Sequence, residues 1–206
     1  MERMEAEHVK KMILNGAQKV VENEAYLCEL DSVVGDGDHG VTAARGFSKV
    51  REALLGKEYG AVDEVLDDTG KALAESMGGA IGPIMGSVFL GAAREAAGKT
   101  GLDAAEFAQM LRAGCENVKK VGGAKRGDRT LVDSLEPAVE AAERGGPGFR
   151  DILAACAKSA REGAAQTCDM VARKGRARFL GEKSKGYQDA GATTFAIFIE
   201  GMADAI

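Results

Sequence analysis

The sequence predicts an all-α domain, an antiparallel up-and-down bundle or barrel of about eight helices. Three observations carry this: helical periodicity recurs along almost the whole chain, most connections are short and glycine-rich, and the scarcity of aromatic residues favours closely packed helices. The 206 residues suit one domain, 1–206, with 45% hydrophobic content but only 5% aromatic residues and no Trp. Such a core must be made of Ala, Leu, Val, Ile and Met, which favours closely packed helices. With 28 Gly and 3 Pro, the turns are tight and the forced breaks few.

The helices are taken in chain order. Val9, Met12, Ile13, Ala17, Val20 and Val21 form a first stripe. A second helix spans roughly 41–55, after a polar connection over 28–40. Val62, Val65, Leu66, Thr69, Leu73 and Met77 mark a third, and Pro83 opens a fourth that buries Ile84, Val88, Phe89 and Ala92. Asp103 with Glu106 reads as a capping box before Phe107, Met110, Leu111 and Val118. Thr130 with Asp133 starts the sixth, which Pro137 should kink. From Phe149 a stripe continues through Ile152, Leu153, Cys156, Gly163, Thr167, Met170 and Val171, and a last helix begins near Ala192. Short connections make sequential helices antiparallel neighbours.

Composition excludes several classes of function. A net charge of −5 gives no broad basic face for nucleic acid. Cys28, Cys115, Cys156 and Cys168 are widely spaced without a CxxC pair, so they read as buried thiols rather than zinc ligands or disulfides. No run of about 18 apolar residues could cross a membrane, and the opening MERMEAEHVKKM is too charged for a signal peptide. The expected location is the cytoplasm.

Two longer connections are where chemistry is expected. Residues 30–42 bring Asp31, Asp36 and Asp38 together among glycines, directly before a helix. Carboxylates this close repel one another, and a hard divalent cation cancels that repulsion. The helix start behind them offers free N–H groups to an anion. Metal and anion sites side by side suggest a phosphate chain. Gly35-x-Gly37-x-x-Gly40 also matches a dinucleotide fingerprint, but no βαβ unit surrounds it. An EF-hand starting at Asp36 would place Phe47 where an acidic ligand is needed. A solvated acidic turn is the plain alternative.

Residues 76–87 set glycines before Pro83, either as a second amide cradle or as a tight helical turn. Residues 173–185 carry six cationic side chains, a phosphate clamp or a solvated basic loop. His39 could serve as a base by residue type, although its place inside the acidic loop favours nucleotide contact or loop structure.

The motifs G-D-G-D-H-G, G-G-A-x-G-P, G-D-R-T-L-V-D-S-L and G-R-A-x-x-L-G-E-K-S-x-G-Y-x-D-A-G resemble, in order and spacing, the L subunit of dihydroxyacetone kinases. The same domain forms the C-terminal half of the single-chain, ATP-dependent enzymes. The resemblance covers residues from about 27 to 206. It implies an eight-helix barrel with nucleotide at one end, and two Mg2+ ions on Asp31, Asp36 and Asp38 bridging the phosphates of ADP or ATP. His39, Gly40, Val41, Thr42, Ala80, Ile81, Gly122 (or Gly123), Leu131, Arg176, Asp189, Ala190 and Gly191 would surround the nucleotide. It also implies a separate K subunit carrying the ketose and, in the phosphotransferase-dependent version, a phosphohistidine-bearing M subunit that rephosphorylates bound ADP. A homodimer is compatible with it. Ile81, Lys183, Tyr187 and Ala190 stand where the family pattern has Ser, Arg, His and Pro. Two rival readings are an ATP-using kinase subunit for another triose or tetrose, and a non-catalytic regulator that reports nucleotide state.

Overall fold

In the computed structural model, which describes residues 3–206, eight helices close into a ring. They are α1 (Ala6–Glu22), α3 (His39–Leu54), α4 (Val62–Ser76), α5 (Ile81–Glu95), α6 (Ala104–Gly122), α7 (Val132–Arg144), α8 (Phe149–Gln166) and α9 (Ala190–Asp204). Each packs on the next, and α9 returns to α1, so the barrel is closed. A further helix, α2 (Glu24–Ser32), packs on α3 and α9 outside that ring. Two short strands, β1 (Met4–Glu5) and β2 (Gly101–Leu102), pair antiparallel.

Local chemistry explains the helix starts. The Asp103 carboxylate accepts from the Glu106 N–H at 2.9 Å, and Glu106 accepts from the Asp103 N–H at 2.9 Å, the reciprocal box the sequence suggests. At α9, the Asp189 carboxylate accepts from the Ala192 N–H at 2.8 Å. The up-and-down course is visible where Ile84, at the start of α5, meets Gly122, at the end of α6. Further along the same pair, Asn117 donates to the Ser87 carbonyl at 2.6 Å.

Buried phenylalanines stand where helices meet. Phe198 of α9 stacks on Phe47 of α3, with centroids 5.3 Å apart, and meets Phe89 of α5 edge-on at 5.4 Å. Phe47 is fully buried, so its truncation to Ala would cost about 3–5 kcal/mol. Pro137 does not end α7, which continues to Arg144. Proline removes the N–H that would bond the Asp133 carbonyl. Gly163 of α8 lies against that carbonyl, and a Cβ there would stand 2.1 Å from its oxygen.

Five sequence expectations are corrected. Residues 28–40 are not one open connection, because α2 occupies them through Ser32. The next helix begins at His39, two residues early, and the last at Ala190. The stripe from Phe149 leaves α-geometry after Gln166 and tightens into a 3-10 turn over Thr167–Asp169. The basic segment is likewise not plain loop, since Arg176–Ser184 forms 3-10 turns kinked at Gly181.

Candidate functional site

Asp31 lies in the last turn of α2, and the chain folds back over it at once. The N–H groups of Val34 and Gly35 donate to its carbonyl at 3.1 and 2.7 Å. Gly37 takes a φ of +75°, which side chains disfavour, and its N–H donates to Asp31 Oδ2 at 2.9 Å. This reversal carries Asp36 and Asp38 back to Asp31, so that one oxygen from each lies within 4.8 Å of the others. Asp38 occupies the N-cap position of α3 without capping it, which leaves its carboxylate free. Asp36 and Asp38 are exposed and Asp31 half-buried.

Behind the carboxylates, α3 presses closely on α2. A Cβ on Gly40 would stand 2.0 Å from the Glu24 carbonyl oxygen and 2.8 Å from the Cys28 nitrogen. The first-turn N–H groups of α3, from His39 to Val41, therefore begin beside the acidic cluster. His39 is fixed by its side chain: Nε2 lies 2.8 Å from Thr194 Oγ1, which itself donates to the Ala190 carbonyl at 2.9 Å. With its hydrogen spent there, the Thr194 hydroxyl accepts from His39, which assigns the proton to Nε2. Burial lowers the His39 pKa, and Asp31 opposes that shift. A neutral imidazole tying α3 to α9 is thus an orienting group, in line with loop structure rather than base chemistry.

Three more segments meet at this end of the barrel. From residue 173 a strap crosses the mouth, and its Arg176 guanidinium pairs with the Asp36 carboxylate. Next to it Arg178 lies over the exposed Phe179 ring, 4.6 Å from the centroid. The strap is held at its base by Ser184 Oγ, which accepts from the Ala172 N–H at 2.9 Å, and by the Cys168 carbonyl, which accepts from the Gly186 N–H at 2.8 Å.

The loop over 123–131 is the second segment. Asp133 accepts from the Gly127 and Thr130 N–H groups at 2.5 and 2.7 Å, which is half of the expected Thr130–Asp133 box; the N-cap of α7 is Leu131, without a side-chain cap. Burial raises the Asp133 pKa against those two bonds, and burial pushes the Asp189 carboxyl up to about 6 against the Ala192 N–H and the nearby Arg129. Leu131 lies close to Gly191. The third segment, Gly78 to Ile81, leads into α5, and just before it the end of α4 is tied to α3 by Arg45, whose Nε donates to the Ser76 carbonyl at 3.0 Å. Ala80 is exposed at the N-cap of α5, Val41 exposed, and Thr42 and Ile81 half-buried. Gly122 packs on Ile84 of α5 rather than on the carboxylate loop.

Sequence reasoning did not find Asp128 and Arg129, both buried at the head of this site. The signal was the G-D-R-T string itself, a charged pair inside a loop, whose burial no periodicity reveals.

Three carboxylate oxygens within 4.8 Å, with a guanidinium drawn to one of them, match the donor set of a hard divalent cation. The adjoining helix N-terminus suits the anionic ligand such a cation would carry.

The chain resembles known proteins along most of its length. Residues 33–204 match the family described as the DAK2 domain. The chain is 40% identical over 181 residues to the PEP-dependent dihydroxyacetone kinase, ADP-binding subunit DhaL, of Escherichia coli K12, covering 86% of each chain. It is 34% identical over 189 residues to the PTS-dependent counterpart of Lactococcus lactis, covering 92% of each. Against the L-erythrulose 1-kinase of Mycolicibacterium smegmatis it is 34% identical, but spans only 33% of that longer protein. The crystal structure of the dihydroxyacetone kinase from C. freundii in complex with AMP-PNP and Mg2+ superimposes with a TM-score of 0.76 at 26% identity. That match covers 100% of this chain and 35% of the other.

Proposed function

The chain belongs to the DAK2 domain family, and from that premise we propose that it is the nucleotide-binding, phosphoryl-transfer subunit of a dihydroxyacetone-type kinase. In this reading it works as one domain with ADP or ATP and Mg2+, and with a separate K subunit that presents the ketose. The observation that carries the reading is the convergence of Asp31, Asp36 and Asp38 beside the N-terminus of α3, under the Arg176 strap.

The three carboxylates would hold magnesium, two ions in the full site, which supplies neutralisation of phosphate charge. The chain's own groups do the rest. First-turn amides of α3 at His39, Gly40 and Val41, and those leading into α5 at Ala80 and Ile81, orient phosphate oxygens, with the Thr42 side chain beside them. Arg176 exchanges its carboxylate partner for phosphate oxygens and closes the strap, which keeps water from the transferring group. Gly122, Leu131, Asp189, Ala190 and Gly191 line the remaining nucleotide surface. None of these residues acts as a general base, in keeping with a ketose activated on another chain.

Of the two donors, a phosphohistidine-bearing M subunit is favoured over exchangeable ATP. The support is that the chain is 40% identical to the PEP-dependent ADP-binding subunit of Escherichia coli and 34% identical to the erythrulose kinase. The location that fits such a system is the cytoplasm, and no helix among the described residues is long and apolar enough to cross a membrane.

The test is to purify the protein, measure ADP retained through gel filtration, and then add a K subunit loaded with dihydroxyacetone. Retained ADP, and transfer dependent on a phosphorylated M subunit, are expected. An empty site with ATP-driven transfer would replace the relay by the ATP reading, and no transfer from either donor would sink both.

A further inference from the structure

Arg129 is fully buried, with 2% of its surface exposed, yet it is a cation in a loop. It is also the one non-glycine among the described residues with a left-handed backbone, φ +60°. A β-carbon disfavours that conformation, so neighbouring interactions must hold it there. The guanidinium supplies them: Nε and Nη2 both donate to the Tyr187 carbonyl, at 3.2 and 2.8 Å. The preceding residue grips the other end of the same strap, since the Asp128 carbonyl accepts from the Arg173 N–H at 3.0 Å. Asp128 is itself pinned, with its carboxylate accepting from the Lys125 N–H at 3.0 Å. Two adjacent residues thus hold both feet of the loop that carries Arg176 to Asp36.

We infer that Arg129 is a positioning residue: by fixing the Tyr187 carbonyl it sets the strap so that Arg176 meets the acidic cluster, and with it the nucleotide phosphates. The nucleotide part rests on the function proposed above; the strap part does not. Arg suits this task better than Lys, because its planar fork can deliver two N–H groups to one oxygen at a fixed angle, and Lys offers a single swivelling ammonium. The buried charge is balanced nearby, as the field of Arg129 draws the Asp189 pKa down against burial. One guanidinium therefore serves both the strap and the start of α9, where Asp189 caps the helix.

The variants are Arg129→Lys, which keeps the charge, and Arg129→Gly, which keeps the left-handed backbone at no steric cost. Three quantities are read: the urea unfolding midpoint, the rate of trypsin cleavage within residues 173–185 without nucleotide, and Mg-ADP affinity by calorimetry. The expected result is strap cleavage about tenfold faster and Mg-ADP affinity about tenfold weaker in Arg129→Gly, the scale of one charge-assisted hydrogen bond. Arg129→Lys should recover part of both. If Arg129→Gly does not fold, Arg129→Lys alone decides, through faster strap cleavage at an unfolding midpoint close to that of the wild type. Wild-type cleavage and affinity in the folded variants would overturn the inference. So would losses that follow the unfolding midpoint and vanish when sucrose restores it. A wild type that binds no Mg-ADP would instead defeat the proposed function, and the strap arm would still test the anchor.

Discussion

The Arg176 guanidinium pairs with the Asp36 carboxylate, joining the strap before α9 to the loop before α3. Both side chains are largely in water, 67% and 41% exposed, so the pair contributes at most about 1 kcal/mol to the fold. A contact that weak is easily exchanged for a better-charged partner.

Arg176→Ala should therefore leave the unfolding free energy within about 1 kcal/mol of wild type. Mg-ADP affinity should nevertheless fall by about one to two decades, because a charge-assisted hydrogen bond in a partly desolvated site contributes roughly 1.5–3 kcal/mol. Arg176→Lys should recover only part, since the fork is lost. Calorimetric titration of both variants checks this, and unchanged affinity in Arg176→Ala would return the strap to a solvated surface feature.

Asp36→Asn and Asp38→Asn should each abolish magnesium-dependent ADP binding while the fold stays intact. Neither carboxylate is buried, and removing one relieves repulsion within the cluster. Without metal, each variant should match the wild type or gain slightly in melting temperature. Adding Mg-ADP should raise the wild-type melting temperature and leave both variants unmoved. A ligand-induced shift equal to that of wild type in either variant would remove that residue from the metal site.

The sequence reveals the barrel because its helices announce themselves twice, by apolar stripes and by caps such as Asp103 with Glu106. The short helix α2 announces itself by neither. It buries only Leu27 and follows α1 across the single residue Asn23, so Asp31 reads as loop when it is the last turn of a helix. The acidic cluster itself is legible, since three aspartates among glycines need only a reversal to converge. Arg129 is not, because its burial depends on a carbonyl at Tyr187 that comes near only once the barrel has closed.

Gly40→Ala tests whether the contact between α2 and α3 sets the metal ligands. The added Cβ would meet the Glu24 carbonyl at 2.0 Å and Cys28 at 2.8 Å, backbone atoms that cannot swing aside. Overpacking of this kind costs about 1–3 kcal/mol. Relief by moving α2 outward would carry Asp31 with it, so magnesium affinity should fall together with stability. Gly79→Ala is the control: its φ of +68° disfavours a side chain, but nothing lies within 4 Å of the new methyl group. It should lose about 1 kcal/mol of stability and keep its metal. Full magnesium affinity in Gly40→Ala would show that the ligands do not depend on this packing.

Asp189 caps α9 at the nucleotide end of the barrel, and burial pushes its carboxyl up to about 6 from the ordinary 3.8. A folded-state pKa above the unfolded value means that, between about pH 4 and 6, the folded protein holds a proton that the unfolded chain has released. The contribution of Asp189 to stability is thus fully present below about pH 4 and is lost as pH rises through 6. Above 6 both states are ionised and the loss is constant, up to about 3 kcal/mol for two pKa units at 1.36 kcal/mol each. Asn can still accept the Ala192 N–H but does not titrate. The stability of Asp189→Asn relative to wild type should therefore rise between pH 4 and 7 and then level off. Urea unfolding of both proteins across that range measures the gap, and other titrating groups cancel in the difference. A gap that stays flat would mean that the carboxyl of Asp189 ionises in the folded protein as it does in water, and one that closes as pH rises would mean that it ionises more readily than in water; either would overturn the raised pKa.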